Sequence, residues 1–317
     1  MRLLNVAVVG AGVMGTYHAA LYAAMPKANL VGVVDPDPES RSQINAAFGC
    51  KTYAHIDDLL AEQYIDAASV AAPTSLHYPL AKRLLQAGVH VLVEKPVAAN
   101  LHQALELVEL SKRLGLVLQV GHITRFYRTV RDLSSQVRDP YLIEARRLTP
   151  SARIKDVGVI LDLMIHDIDI ILRIIDSPVE SVAVAGHCLN GSHYEDVAAA
   201  QILFENGCIA RLLASRVAPD SERSLVINEP NQTLRLDFAN DPHTRITLYR
   251  SMADNGAAQV ERRAVDEDNP LRIELEHFLA RIVRAAPPIG TLEDDLRSLE
   301  LATRLLRHME LRKPTLV

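Results

Sequence analysis

The sequence predicts an α/β protein of two domains, in which a doubly wound parallel sheet is followed by an α+β domain with an open, mainly antiparallel sheet. Two observations lead to this prediction. Near the amino terminus, short runs of Val and Ala alternate with amphipathic segments, which is typical of a parallel sheet covered by helices on both faces. In the second half, strand-like runs are separated by turn signals such as NG, EPN and NDP, which favour hairpins and therefore antiparallel pairing.

The first domain is expected to contain five strands. In chain order they read NVAVVG, LVGVVD, AASVAA, HVLVE and LVLQV. Helices are expected to begin near Val13 and Pro38, and the amphipathic segments 77–87 and 101–114 predict two more. Because nearly continuous apolar runs lie between helices, each strand is expected to be buried on both faces.

The pattern changes after about residue 120. We expect a helix near 124–136, a strand at YLIEARRLT, a helix over 158–175, a series of strands to about residue 265, and helices at 271–285 and 292–311. The domain boundary is therefore placed between residues 121 and 122. The first domain then spans 1–121 and the second 122–317, with the last helix a candidate to pack back on the first domain.

Composition excludes several classes of function. The net charge is −5, Trp is absent and aromatic residues make up 4%, so a basic, stacking surface for nucleic acid is not expected. The apolar runs fall short of the roughly 18 residues of a membrane span. The start of the chain leads directly into a strand, so we expect a cytoplasmic protein without a membrane partner. Cys50, Cys188 and Cys208 form no C-x-x-C pair, so we expect neither a disulfide framework nor a metal site.

A glycine-rich loop follows the first strand. In VAVVGAGVMG, Gly10, Gly12 and Gly15 form a G-x-G-x-x-G motif between a strand and a helix, which is the context of a dinucleotide-binding turn. The first glycine permits the turn, the second lets the backbone approach a pyrophosphate, and the third allows close packing of helix on strand. Val13 and Met14 lie inside the loop and are expected to contact the cofactor as well.

An acidic residue ends the second strand. Asp35 lies in GVVDPD, twenty positions after Gly15, where a carboxylate would accept hydrogen bonds from an adenosine ribose diol. It would also repel a 2'-phosphate, and the next residues, Pro36 and Asp37, supply no arginine to bind one. The loop and the acid together predict NAD rather than NADP. The alternatives are a glycine turn without a ligand and a methyl-donor nucleoside.

The apolar segment LDLMIHDIDI carries four ionisable side chains, Asp162, His166, Asp167 and Asp169, and Arg173 follows on the same predicted helix. At about 3.6 residues per turn, Asp162, His166, Asp169 and Arg173 fall on one line, and only Asp167 lies off it. Burying an unpaired carboxylate is costly. The polar line therefore either pairs internally or faces a cleft, and Asp169 with Arg173 is a candidate ion pair four residues apart.

A short E-K-P motif ends a predicted parallel strand. Glu94, Lys95 and Pro96 follow VHVLV, at the sheet edge where ligands of such folds bind. Taken alone, the motif favours an exposed loop lysine over a functional one. Lys95 becomes a candidate active-site residue only together with the other motifs.

With AAPTSLHYPLA at 71–81, these motifs occur in an order that resembles the Gfo/Idh/MocA family of NAD(P)-dependent oxidoreductases over nearly the whole chain. The resemblance implies a Rossmann-like first domain and a second domain that binds substrate and supports oligomerisation. It also implies that Lys95, Asp162 and His166 act together at the nicotinamide. A homodimer or homotetramer formed through the second-domain sheet is the expected assembly.

The resemblance adds further site residues. Pro73, Thr74, His77 and Glu94 match positions near the cofactor. From the residues alone, His77 would equally be a surface residue at a helix start and Thr74 a helix cap.

A narrower resemblance concerns the substrate. VGHITRF, EARR and RIKDVGVILDLMIHDIDI are similar to a branch of the family that oxidises the 3-hydroxyl of UDP-N-acetylglucosamine, whose 3-keto product is transaminated on the way to lipid A. His122, Arg125 and Arg153 are the expected substrate-binding residues. The segment 125–155 is also basic, with eight Arg or Lys against three acidic residues. These arginines either face solvent or another subunit, or bind a diphosphate.

The expected function is therefore NAD-dependent oxidation of a sugar hydroxyl to a ketone, with a nucleotide sugar as the favoured substrate. Two alternatives remain, an inositol or simple-sugar dehydrogenase of the same family and a non-catalytic NAD-sensing regulator. Intact Lys95, Asp162 and His166 favour an enzyme, since a sensor needs no proton acceptor. Either His166 or Lys95 can serve as the general base.

Overall fold

The computed structural model describes residues 3–150, 156–189, 192–238, 243–251, 258–266 and 268–312. The chain divides into two compact units: unit 1 comprises Met1–Ile123 and Pro270–Leu296, and unit 2 comprises Thr124–Asn269 and Arg297–Val317. The sequence-based boundary thus lies two residues before the end of the first segment of unit 1. The sequence-based division also assigned residues 270–296 to the second domain, whereas the structure groups them with the first. Within the described ranges, no helix is long and apolar enough to cross a membrane.

Unit 1 is built on a six-stranded parallel sheet. Its strands are β1 (Leu4–Val9), β2 (Ala28–Val34), β3 (Thr52–Tyr53), β4 (Ala67–Val70), β5 (His90–Glu94) and β6 (Leu118–Gly121). They lie in the order β3-β2-β1-β4-β5-β6, and every pair is parallel. This is the order of a doubly wound dinucleotide-binding sheet, whose ligands bind outside the carboxyl ends of the strands. The predicted fold class of the first domain is confirmed.

Five helices connect these strands. They are α1 (Val13–Ala24), α2 (Pro38–Phe48), α3 (Ile56–Glu62), α4 (Thr74–Gln86) and α5 (Leu101–Leu114). Local sequence explains their ends: α2 begins where the Asp37 side chain accepts the Ser40 N–H at 2.8 Å. It ends at Gly49, whose φ of 65° places it in the left-handed region that glycine adopts without strain.

Unit 2 begins with a 3₁₀ turn and two short helices where the sequence predicted one helix. These are α6 (Arg128–Arg131) and α7 (Leu133–Gln136), followed by strand β7 (Leu142–Leu148) and helix α8 (Ile165–Ile174). Seven strands follow: β8 (Val179–His187), β9 (Val197–Phe204), β10 (Ile209–Ser215), β11 (Glu222–Glu229), β12 (Gln232–Asp237), β13 (His243–Ser251) and β14 (Ala258–Asp266).

The last elements are α9 (Pro270–Arg284), α10 (Leu292–His308) and β15 (Glu310–Arg312). The apolar side of α9 explains why this helix groups with unit 1. Leu271, Leu275, Phe278 and Leu279 are buried in the same apolar core as residues of β1 and α1. Sequence reasoning recognised the helix but not the core to which it contributes, because an amphipathic pattern does not specify its partner.

Among the described residues, the sheet of unit 2 has nine strands in the order β14-β13-β12-β11-β7-β10-β9-β8-β15. The pairs β7–β10 and β8–β15 are parallel, and the others are antiparallel. The expectation of a mainly antiparallel open sheet is confirmed. Alternate residues of β7 and β10 face opposite sides, so one face supports α8 and the other remains open to solvent or a partner.

The helix that carries Asp162 and His166 is not α-helical throughout. A π-helical turn, Ile160–Met164, precedes α8, and the Ile165 N–H donates to the Ile160 carbonyl five residues earlier. A turn closed in this way holds more residues than an α-helical turn. Side chains four apart across the junction, as Asp162 and His166 are, therefore lie closer to one line along the axis. Single π-helical turns inside helices often occur at functional sites.

Candidate active site

The glycine loop of unit 1 has little room for side chains. Gly10 has a φ of 101°, and its N–H donates to the Val34 carbonyl at 2.7 Å. A Cβ at Gly10 would strike the Ala71 carbonyl, and a Cβ at Gly15 would strike the Gly10 carbonyl. Positive φ and backbone contact explain two of the three glycines.

Gly12 differs, because a Cβ built on it meets nothing within 4 Å. It is the N-cap of α1 and offers no side chain to the N–H groups of the first turn, so these donors are available to an anion. Val13 is exposed and Met14 is half-buried beside them. Open space and backbone donors at one helix terminus fit the pyrophosphate of NAD.

Asp35 lies next to this loop. Its Oδ2 accepts the Ala11 N–H at 2.7 Å, and its Oδ1 accepts the Asp37 N–H at 2.9 Å. A carboxylate has about four acceptor positions, so both oxygens can still accept from a ribose diol. The structure adds Arg41, which sequence reasoning did not consider and whose Nη1 donates to the Asp35 carbonyl at 2.7 Å.

Glu94 of the E-K-P motif is bonded to a buried histidine. The Nε2 atom of His18, on α1, lies 3.1 Å from the Glu94 Oε1, and the His18 side chain has no exposed surface. Burial alone would raise the pKa of the Glu94 carboxyl, but the hydrogen bond from His18 and the nearby charge of Lys95 hold that pKa below its usual range. Lys95 is half-buried, and the Lys95–Pro96 peptide bond is cis.

His77 is buried rather than at the surface. Its Nδ1 lies 2.7 Å from the Pro96 carbonyl oxygen and its Nε2 lies 2.9 Å from the Ala72 carbonyl oxygen. The ring therefore joins α4 to the E-K-P turn. Thr74 is the buried first residue of α4, and Pro73 is its N-cap, so these residues lie at the carboxyl edge of the sheet, as expected of a cofactor site.

His122 follows β6 at the same edge of the sheet. Its Nε2 lies 3.7 Å from Oδ1 of Asp295, on α10, and both side chains are almost completely buried. Asp295 was not found from the sequence, because it is 173 positions away in the chain (295 − 122) and no motif surrounds it. The pair gives His122 a buried acidic neighbour.

In unit 2, the structure corrects the expected ion pair of Asp169. Its carboxylate is bonded to Arg125 at 2.8 and 2.5 Å and to the Ser298 hydroxyl at 3.0 Å, rather than to Arg173, which is exposed. Arg125 was expected to bind substrate, yet its side chain is 3% exposed and held by Asp169. The polar line on the helix is thus partly a buried structural ion pair.

Asp167, the acid off the line, has a partner as well. Arg147 on β7 donates to its two oxygens at 3.0 and 2.6 Å. Burial would lower the pKa of Arg147, but Asp167, together with the more distant Asp162, raises it. Arg147 therefore places positive charge near Asp162. Its inward position on a strand, where alternate residues are apolar, was the signal that could have identified it.

Asp162 and His166 remain as the candidate proton-transfer pair of unit 2. Asp162 is 8% exposed, and His166 is half-buried. The other two acids of the helix, Asp167 and Asp169, are bound by arginines. A carboxyl group and an imidazole four residues apart on one helix are residue types used in general acid–base catalysis.

The expected anion-binding segment is divided among several environments. Arg125 and Arg147 form the buried pairs described above, and Arg146 lies 2.9 Å from Glu222 at the surface. Arg153 and Lys155 lie outside the residues that the structure describes. Arg128 is exposed and lines a cleft of about 280 Å³ with Arg263, Asp132 and Asp266 among others.

Two family models match the chain. The NAD-binding Rossmann-fold domain of the GFO/IDH/MocA oxidoreductase family matches residues 4–122, and the C-terminal domain of the same family matches residues 124–236. The matched segments follow one another across the boundary between the two units.

Similar proteins extend this match to most of the chain. The chain is 34% identical to UDP-N-acetylglucosamine 3-dehydrogenase of Acidithiobacillus ferrooxidans over 291 residues, 90% of each protein. It is 29% identical to scyllo-inositol 2-dehydrogenase (NAD(+)) of Bacillus subtilis over 93% of this chain and 91% of that protein. A solved structure of the Acidithiobacillus ferrooxidans enzyme is similar with a TM-score of 0.87, at 32% identity and 98% coverage of both chains.

Proposed function

Because the chain belongs to the Gfo/Idh/MocA family of NAD-binding oxidoreductases, we propose that it oxidises the 3-hydroxyl of UDP-N-acetylglucosamine, or of a related nucleotide sugar, to a ketone. The observation that carries the proposal is the 34% identity to UDP-N-acetylglucosamine 3-dehydrogenase over 90% of both chains. The inositol dehydrogenase match is lower, at 29%, and makes cyclitols the second candidate substrates. By analogy with its branch, we place the enzyme in amino-sugar synthesis for lipid A, in the cytoplasm.

The proposed chemistry assigns a role to each residue. His166 accepts the proton of the substrate hydroxyl, and the Asp162 carboxylate orients the ring and stabilises the imidazolium that forms. Lys95 donates a hydrogen bond to the oxygen as negative charge develops on it. NAD, when bound, would supply the acceptor for the hydride that leaves the carbon atom. Lys95 as the base, with His166 as the hydrogen-bond donor, is the alternative assignment.

The cofactor and substrate contacts are also proposals. Gly10, Gly12, Val13, Met14 and Gly15 are proposed to hold the pyrophosphate, with Asp35 on the ribose and with Pro73, Thr74, His77 and Glu94 around the nicotinamide half. For the substrate we propose His122 at the sugar and Arg153 at the diphosphate. Arg125 is a weaker candidate than the sequence suggested, because its guanidinium is buried against Asp169. The exposed Arg128 is an additional candidate for the diphosphate.

We further propose that the chain forms a homodimer or homotetramer through the open face of the unit 2 sheet. Leu142, Leu203, Ile209 and Leu213 are half-buried on this face, and register places Leu203 and Leu142 on either side of Ile209. Apolar side chains on a sheet face are stabilised when another surface covers them. Light scattering tests the assembly, and a monomer would contradict it.

A substrate panel tests the proposed reaction. UDP-N-acetylglucosamine, free N-acetylglucosamine, myo-inositol and scyllo-inositol are each supplied with NAD, and absorbance of the reduced nicotinamide is followed. We expect turnover with the UDP-sugar and competition by UDP alone at low salt, since arginine–phosphate binding weakens as salt rises. Equal turnover of an inositol would move the assignment to the second candidate. NAD binding without turnover of any alcohol would favour a regulator.

Arginine variants test the diphosphate site. Replacing a remote phosphate contact removes binding that ground state and transition state share, so Arg153→Ala and Arg128→Ala should chiefly raise KM. Arg113, an exposed residue at the end of α5, supplies the control variant Arg113→Ala. An unchanged KM in both test variants would remove these residues from the proposed site.

A further inference from the structure

A buried glutamate of unit 2 contacts the beginning of the catalytic helix. Glu195, two residues before β9, is 3% exposed. Its Oε1 accepts the Ile160 N–H at 3.0 Å, and its backbone oxygen accepts the Val159 N–H at 3.0 Å. The first N–H groups of a helix have no partner within it, so Glu195 binds two successive donors where the π-helical turn begins.

Gly158 brings this carboxyl close to the chain. A Cβ at Gly158 would overlap the Glu195 carboxyl group, so only glycine leaves room for it. The Gly158 carbonyl accepts the Asp162 N–H at 3.0 Å. One residue therefore contacts the glutamate through its α-carbon and Asp162 through its carbonyl oxygen.

The neighbouring residues hold the same segment from another direction. Arg216 donates from Nε to the Asp196 carboxylate at 2.6 Å and from Nη1 to the Val157 carbonyl at 2.9 Å. Val157, Val159 and Ile160 are thus each fixed by a hydrogen bond to a buried group. Burial raises the pKa of the Glu195 carboxyl, so burying this group has a cost. A role at the protein surface would not explain that cost.

We propose that Glu195 is a positioning residue for Asp162, because its buried carboxyl fixes the π-helical turn that carries this catalytic acid. The inference rests on the proposed function, in which Asp162 supports His166. A displacement of about 1 Å in catalytic geometry can lower a rate by about 10²-fold. Glu195 itself touches neither substrate nor cofactor in this proposal.

The variants Glu195→Ala and Glu195→Gln test it. Alanine removes the acceptor of the Ile160 N–H, whereas glutamine keeps an oxygen in nearly the same place. We expect kcat to fall about 10- to 100-fold in Glu195→Ala, with KM and NAD affinity close to wild type, and to recover largely in Glu195→Gln.

Glu229 provides a matched control. It is also buried, and its Oε1 accepts the N–H groups of Arg138 and Asp139 at 2.5 and 2.7 Å, so Glu229→Ala removes a comparable contact elsewhere in unit 2. We expect Glu229→Ala to lower the thermal midpoint while leaving kcat near wild type. An equal loss of kcat in Glu229→Ala would show general destabilisation and overturn the proposal.

Hydrogen exchange separates this inference from the proposed function. We expect Glu195→Ala, but neither Glu195→Gln nor Glu229→Ala, to speed amide exchange in a peptide covering 157–166. If no sugar is oxidised by the wild type, the proposed function fails, and the exchange result still decides whether Glu195 fixes the turn. Wild-type exchange in Glu195→Ala would overturn the inference, as would a wild-type kcat.

Discussion

Arg125 and Asp169 form a two-point ion pair, with N–O distances of 2.8 and 2.5 Å, although they are 44 residues apart in the chain. Both side chains are almost completely buried. The Ser298 hydroxyl completes the group by donating to the same carboxylate. The sequence predicted that Arg125 binds a substrate phosphate and that Asp169 either pairs within its helix or faces a cleft. In the structure the two residues bind each other instead.

Removing one partner of this pair should destabilise unit 2. Arg125→Ala leaves the Asp169 carboxylate buried without its main partner, which typically costs about 3–5 kcal/mol. The double variant Arg125→Met/Asp169→Leu should lose less, because neither charge is left buried. Denaturant unfolding of the three proteins measures the difference. A fully stable Arg125→Ala with a raised KM would instead restore the substrate-binding role.

Asp35 should discriminate between the two nicotinamide cofactors. We expect NAD to bind at least about tenfold more tightly than NADP, a difference of about 1.4 kcal/mol, because the carboxylate accepts from a ribose diol and repels a phosphate. Asp35→Asn should reduce the difference in affinity between NAD and NADP, while it keeps an acceptor for the Ala11 N–H. Calorimetric titration of both cofactors tests this, and equal affinities in the wild type would contradict it.

His166 and Lys95 should be needed for turnover but not for cofactor binding. Loss of a positioned general base typically lowers the rate by about 10²- to 10⁴-fold, so His166→Ala and Lys95→Ala should each lose kcat and retain NAD affinity. His193→Ala and Lys27→Ala, at exposed positions, are the controls. Steady-state kinetics and calorimetry together decide, and wild-type turnover in either test variant removes that residue from the mechanism.

The His18–Glu94 contact should make stability depend on pH. The folded-state pKa of Glu94 is lowered, so its contribution is present above the unfolded pKa, about 4.3, and is lost as pH falls through the folded value. His18→Phe keeps an aromatic ring at this position but removes the hydrogen bond, which should cost about 1–3 kcal/mol at pH 7. The cost should shrink in acid, where Glu94 is protonated.

Urea unfolding of wild type and His18→Phe from pH 7 down to about pH 3, below the usual pKa of a glutamate, measures this difference. Tyr22→Phe is the control, since Tyr22 lies one turn further along α1 and bonds Ser69 rather than Glu94. A loss of stability that does not change with pH would show that His18 contributes by packing alone.

Much of unit 1 could be predicted from the sequence, because its motifs are local. The strand, the glycine loop and the helix that follow one another from Val6 to Gly15 specify a turn of defined geometry, and Asp35 ends the adjacent strand. The parallel order of the strands then places these residues, and the E-K-P motif, at one edge of the sheet. Spacing along the chain was sufficient to predict where these residues lie in the fold.

The partner of each buried charge was decided by the tertiary structure alone. From the sequence, Asp169 had an arginine four residues away, yet its partner is Arg125; Asp167 is bonded to Arg147 and Glu94 to His18, from other elements. Two side chains four residues apart on a helix lie near each other, but an ion pair between them at the surface stabilises the helix by only a few tenths of a kcal/mol. A carboxylate buried by packing costs several kcal/mol unless paired, so the fold determines which arginine or histidine it meets.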